Sequence, residues 1–202
     1  AKTIVIFTSD NGGLLGPTHN APLRSGKGYP YEGGIRVPLI IRWRGVVAPG
    51  AVSHEPVISV DYLPTILEAA GIDPPAGREL DGMSLVGHLR SGGEKPLDRA
   101  AIFWHFPHYR GADVTPYSII RARDWKLIRY HEGPRRELFD LRGDLSETKD
   151  LAGSMPQKVK ELSAMLDDHL EDVGARMPRT SREEPEGAEG GAGSGGLPRV
   201  LI

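Results

Sequence analysis

An apolar run, Ile4-Val5-Ile6-Phe7, is cut off shortly afterwards by Asp10-Asn11-Gly12-Gly13, and this break limits the folds open to the chain. The run is too short for a helix, rich in β-branched residues and apolar at every position. It therefore predicts a buried, central parallel strand. The glycines stop the strand abruptly. Asp10 and Asn11 then fall at its carboxyl end, where loops of open α/β sheets form ligand crevices. A turn is the competing reading, because Asp and Asn bond their own backbone and Gly supplies positive φ.

Two further segments carry core signals. Val37-Pro38-Leu39-Ile40-Ile41-Arg42-Trp43 predicts a second strand, with Pro38 tolerated at its start. Asp61 is a candidate helix cap, with Pro64 in the first turn, Leu63, Ile66, Leu67 and Ala70 as an apolar stripe, and Gly71 as the stop. Residues 72–98 are rich in Pro, Gly and charge and predict a connection, with one short helical turn near Ser84 to Leu89.

After a boundary near residue 95 the pattern changes to short strands at Ala101 to His105, Tyr117 to Ala122, Trp125 to Tyr130 and Glu137 to Leu141. These predict a small antiparallel sheet. Met155, Val159, Leu162, Leu166, Leu170 and Val173 form a helical stripe behind Ser154, a candidate cap, with Pro156 in the first turn, and this helix is expected to pack on the sheet. From Gly174 onward there is little to bury. The expected division is residues 1–95, residues 96–173 and a disordered tail or linker over 174–202.

Composition removes several function classes. The 202 residues carry a formal net charge of −2 and no Lys/Arg stripe alternating with aromatics, which argues against a nucleic-acid groove. No apolar stretch approaches the length of a membrane span. With no cysteine there is neither a zinc-thiolate site nor a thiol nucleophile. The chain starts directly in a strand, so a preceding N-terminal portion is expected.

Asp10 and Asn11 offer hard oxygen donors, which suit Ca²⁺ or Mg²⁺. Lys27 stands between Gly26 and Gly28, where missing side chains leave room for an anion, and an ammonium is a point charge for tetrahedral oxyanions. The Gly-x-x-x-x-Gly-Lys-Ser/Thr spacing of a phosphate-binding P-loop is not met. Taken alone, Lys27 reads more readily as a solvated loop lysine than as an anion site.

In order, the chain carries Asp10-Asn11-Gly12-Gly13, Asn20-Ala21-Pro22-Leu23-Arg24-Ser25-Gly26-Lys27-Gly28 and Tyr31-Glu32-Gly33-Gly34-Ile35-Arg36-Val37-Pro38. Together these resemble the formylglycine-dependent sulfatases of the alkaline phosphatase superfamily. The likeness extends through Asp61-Tyr62-Leu63-Pro64-Thr65, Trp125-Lys126-Leu127-Ile128 and Glu137-Leu138-Phe139-Asp140-Leu141 to Glu147 and Leu151. It implies an α/β alkaline-phosphatase-like core, present as its C-terminal strands and helix, plus a small antiparallel sheet with a C-terminal helix.

The resemblance also implies roles. Asp10 and Asn11 match two calcium ligands of the family, with Mg²⁺ as the alternative ion, and Lys27 matches a lysine that contacts the sulfate ester. Glu32 and Arg36 read as a scaffold pair holding the loop of Lys27. His105 and His108 are candidates for the substrate side of the pocket, against a competing role in aromatic packing at a sheet edge. His19 has no matching catalytic role.

One departure from the family pattern is decisive for expectation. The Cys/Ser-x-Pro/Ala-x-Arg segment that yields formylglycine is absent, as are the family's paired acidic calcium ligands. The chain is therefore expected to be the C-terminal part of a sulfatase, inactive alone, whose partners are an N-terminal portion and a sulfated small molecule or glycan. Two other functions remain open: a phosphodiesterase or phosphonate monoester hydrolase of the same superfamily, and a noncatalytic binding or assembly module. Periplasmic, extracellular or lysosomal residence is implied only by family habit.

Overall fold

The computed structural model describes residues 3–111 and 113–178. The expected tail lies outside the described residues from 179 onward.

The first strand, β1 (Ile4–Thr8), does not join a parallel sheet among the described residues; it pairs antiparallel with β2 (Leu39–Trp43), with Phe7 opposite Ile40 and Val5 opposite Arg42. Nor is it buried on both faces. Exposure alternates along it, leaving Val5 48%, Phe7 60% and Ile40 62% exposed on one side. An all-apolar run contains no alternation from which to read its outward face, so sequence pattern could not distinguish a half-buried strand from a central one.

Between these strands runs a long loop that ends in the short helix α1 (Glu32–Ile35). After β2, a 3₁₀ turn over Ser59–Asp61 leads into α2 (Tyr62–Ala70), which Gly71 terminates in the left-handed conformation. The Asp61 carboxylate does not cap α2. It lies fully buried, accepts the Ile58 N–H at 2.9 Å and the Met83 N–H at 3.0 Å, and is clasped by both Nη atoms of Arg99. Asp61 thus ties α2 to the following connection, within which α3 (Val86–Arg90) supplies the expected helical turn. The α2 face that is buried centres on Thr65, whereas Leu63 and Ile66 of the predicted stripe are exposed.

The remaining strands, β3 (Ile102–Phe106), β4 (Tyr117–Ala122), β5 (Trp125–Tyr130) and β6 (Arg136–Asp140), form a four-stranded antiparallel meander in sequence order. Period-two alternation gives this sheet two apolar faces. One carries Ile120, Leu127 and Leu138 and receives Leu162, Leu166 and Leu170 of α4 (Pro156–Asp172), spaced to share one helix face. Pro156 occupies the first turn, but Met155 stands at the cap and the Ser154 hydroxyl bonds Leu151 O instead.

The opposite face carries Tyr117, Ile119, Ile128, Tyr130 and Phe139. It is covered by Tyr29, Tyr31 and Ile35 from the loop between β1 and β2. The small sheet is therefore enclosed by a helix on one side and by the Tyr-Glu-Gly-Gly segment on the other, which positions that loop against a rigid platform. None of the described helices is long and apolar enough to cross a membrane.

Candidate active site

The segments singled out in the sequence converge at the end of β1. Asn11 lines a cleft of about 480 Å³ together with Ser9, Gly13, Asn20, Arg36 and Pro38. Asp10 and Lys27 are exposed and do not line it. Backbone bonds nevertheless fasten their loops together: Lys27 N–H donates to Gly13 O at 3.0 Å, and Gly12 N–H donates to Gly34 O at 2.9 Å. The Asn20 amide bridges the same turn, donating to Gly13 O at 2.8 Å and Ser25 O at 3.0 Å.

The glycines beside Lys27 serve backbone proximity. A Cβ at Gly26 would press against Gly13 O and Asn20 Nδ2, and one at Gly28 would overlap the Arg110 guanidinium. Gly28 also has φ of 88°, a conformation that L side chains rarely adopt.

Beneath this loop lies a buried ionic cluster. The Arg36–Glu32 pair expected from the sequence forms at 3.2 Å, and Arg121 approaches the same Glu32 oxygen at 3.8 Å. Glu32 Oε1 is also 3.1 Å from Lys126 Nζ on β5, and Lys126 lies 2.7 Å from Glu147 Oε1. The second Glu147 oxygen accepts the Glu32 N–H at 2.6 Å, and Arg24 donates to Glu147 O at 2.9 Å. Glu32, Lys126 and Glu147 are all buried.

Burial alone would raise the Glu32 carboxyl, but Lys126 with Arg121 and Arg36 outweighs it and holds the group below the usual carboxylate range. Glu147 shares that single lysine and faces Glu32, so burial prevails and its carboxyl is pushed up. Alongside, Tyr31 Oη donates to Glu137 Oε2 at 2.9 Å and meets Tyr130 Oη at 3.1 Å, while Arg24 stacks 3.7 Å above the Tyr31 ring. The segments bearing Lys126 and Glu147 carried the family resemblance, but nothing in their spacing marked them as partners of Glu32.

His105 and His108 lie elsewhere. His105 Nδ1 bonds Ser118 Oγ at 2.7 Å and its Nε2 bonds Arg176 O at 2.8 Å, so both ring nitrogens are engaged within the small sheet and the segment after α4. His108 packs edge-on against Phe106 at 5.5 Å between centroids and lines a separate cavity with Pro107, Arg176, Met177 and Pro178. Arg110, two residues beyond His108, does reach the first site: its Nη1 donates to Lys27 O. Among the described residues no three of His, Asp and Glu cluster to hold a metal ion.

With this geometry in view, comparison with known proteins is informative. A family model described as N-sulphoglucosamine sulphohydrolase, C-terminal, matches residues 26–176. A protein of Formosa agariphila described as a sulfatase is 40% identical over 178 residues, covering 84% of this chain and 32% of that protein. The solved structure of a protein in complex with its substrate, D-glucosamine-2-N,6-O-disulfate, aligns with a TM-score of 0.70 at 28% identity, covering 87% of this chain and 35% of that one. A phosphonate monoester hydrolase from Silicibacter pomeroyi aligns with a TM-score of 0.65 at 29% identity, covering 84% of this chain and 35% of that one. The chain thus spans about a third of the length of the relatives it matches. Its α/β architecture is alkaline-phosphatase-like, as expected. The chain belongs to the N-sulphoglucosamine sulphohydrolase C-terminal family, and so to the C-terminal portion of the formylglycine-dependent sulfatases.

Proposed function

We propose that this chain works as part of an enzyme that hydrolyses sulfate esters of aryl or carbohydrate alcohols. The observation that carries this reading is the bond from Lys27 N–H to Gly13 O at 3.0 Å, which joins the loop of the ammonium to the loop of Asp10 and Asn11.

The donor chemistry fits a hard divalent cation. Asp10 and Asn11 supply a carboxylate and an amide oxygen, without nitrogen or sulfur ligands, and two oxygens are fewer than the roughly 6 to 8 that Ca²⁺ takes. The remainder would come from sequence outside this chain, as would the formylglycine of the family. The cation, when bound, would supply Lewis-acid polarisation of the ester oxygens. Lys27 would offset the negative charge that develops toward the leaving oxygen as the S–O bond lengthens. The Asn20 amide, which donates to Gly13 O and Ser25 O, and the Glu32–Arg36 pair would keep these loops still.

The exposed side of the β1–β2 pair supports the fragment reading. Val5, Phe7 and Ile40 form an apolar strip that a larger α/β core would cover. The isolated chain is accordingly inactive and binds Ca²⁺ weakly.

Replacing Lys27 by Ala in the active protein should lower aryl sulfate turnover by about 10²–10³ while leaving the fold intact, on the scale of removing one electrostatic donor. Unchanged turnover would remove Lys27 from the site. The likeness to a phosphonate monoester hydrolase supports a second reading; matched sulfate, phosphate and phosphonate esters separate the two. Sulfate release by the purified 202-residue chain alone would overturn the view that it is incomplete.

A further inference from the structure

The hairpin loop between β3 and β4 reaches across to the Lys27 backbone. Arg110 and Val114 form an isolated antiparallel bridge in that loop, with Arg110 N–H to Val114 O at 3.0 Å and Val114 N–H to Arg110 O at 3.3 Å. Val114 is anchored in the sheet core beside Tyr31 and Tyr117, so the bridge holds Arg110 at a defined height above the sheet. From there Arg110 Nη1 donates to Lys27 O, and its guanidinium occupies the space that a Cβ at Gly28 would fill. One residue on, Tyr117 Oη donates to Gly28 O at 3.5 Å.

The two backbone polar groups of Lys27 therefore go to different parts of the molecule. Its N–H is held by Gly13, close to Asp10 and Asn11, and its carbonyl by Arg110 from the small sheet. Fastening both ends of one residue limits rotation of its peptide planes, and so fixes the Cα–Cβ direction from which the ammonium-bearing side chain departs.

We propose that Arg110 is a positioning residue that sets the Lys27 ammonium by gripping the Lys27 carbonyl, making the small sheet a working part of the site. This rests on the sulfatase reading above. A displacement of about 1 Å at a reacting centre can cost on the order of 10²-fold in rate, so the effect should appear in kcat more than in KM.

The test is the dependence of kcat/KM on leaving-group pKa across a series of aryl sulfates, measured in the active protein. If Lys27 neutralises charge on the leaving oxygen, Lys27→Ala steepens that dependence. Arg110→Ala should steepen it in the same sense, lower kcat by about tenfold to hundredfold, and add little when combined with Lys27→Ala. Arg110→Lys, which keeps a cationic donor, should recover part of the rate, and added guanidinium ion should do the same for Arg110→Ala. A rate loss in Arg110→Ala with an unaltered slope would mean a merely structural arginine and overturn the proposal. So would an unchanged rate where Lys27→Ala steepens the slope. If Lys27→Ala itself leaves the slope unchanged, the assignment of Lys27 falls first and Arg110 with it.

Discussion

Lys126 Nζ lies 2.7 Å from Glu147 Oε1, and neither side chain has any exposed surface. The pair joins β5 to the loop after β6, and through Glu32 at 3.1 Å it reaches the segment that carries Lys27. Removing the cation from such a cluster leaves two buried carboxylates without their shared partner, the case in which breaking a buried ion pair costs most. Lys126→Met should lower unfolding free energy by about 3–5 kcal/mol, read by urea denaturation. A loss below about 1 kcal/mol, typical of exposed pairs, would show that the cluster does not hold the loop.

Gly26 stands where the two site loops come closest. A Cβ there would lie 2.5 Å from Gly13 O, the same oxygen that accepts the Lys27 N–H, and 2.8 Å from Asn20 Nδ2. Backbone has to move to admit it. Gly26→Ala should cost about 1–3 kcal/mol, the usual range for overpacking, and, in the active protein to which the chain is proposed to belong, should reduce sulfate ester turnover more than its effect on stability accounts for. Wild-type turnover in Gly26→Ala would show that the spacing of the loops is not critical.

Asp61 and Arg99 form a second ionic node, at the start of α2. Asp61 is completely buried, and among the described residues its donors beyond Arg99 are the Ile58 and Met83 N–H groups. Arg99→Ala should destabilise by about 3 kcal/mol, near the lower end for an orphaned buried charge because those two donors remain. Arg99→Ala combined with Asp61→Asn should recover part of that loss, since the uncompensated charge is then gone. Calorimetric Tm values of the single and double variants check this, and equal Tm values for the two would contradict it.

What could be read from the sequence follows the range of the forces involved. Strands β4 and β5 fall on the predicted residues, because short runs rich in Ile and aromatic residues are bounded by turn-forming residues. The Leu162, Leu166 and Leu170 stripe identified the helix face that packs on the sheet, because a period of 3.6 residues places these positions on one side. The Glu32–Lys126 contact spans 94 positions and the Asp61–Arg99 contact 38, separations across which no local periodicity carries information. Asp61 therefore looked like an ordinary cap. Tyr31 looked like part of a loop, whereas its ring is core and its hydroxyl bonds Glu137. The motif drew attention to Lys27 but gave no sign of Arg110, whose bond to the Lys27 carbonyl depends on a hairpin 83 positions away.

Acid sensitivity should centre on His131. Its Nε2 meets Ser118 Oγ at 2.8 Å, and that hydroxyl also bonds His105 Nδ1 at 2.7 Å, with the two imidazoles edge-to-face at 5.6 Å. Burial first, then Arg129 and His105, lower the His131 pKa from 6.5 to about 4. Between those values the unfolded chain binds a proton that the folded chain does not, so folding stability rises with pH across the window and is lost as pH falls from about 6.5 toward 4. Partial solvent access to the ring reduces the size of the effect, so the direction is the firm expectation. His131→Gln, which cannot take up that proton, should flatten the decline in Tm over this range relative to the unsubstituted protein. Parallel Tm curves for the two proteins between pH 6.5 and 4 would assign the acid sensitivity to other groups.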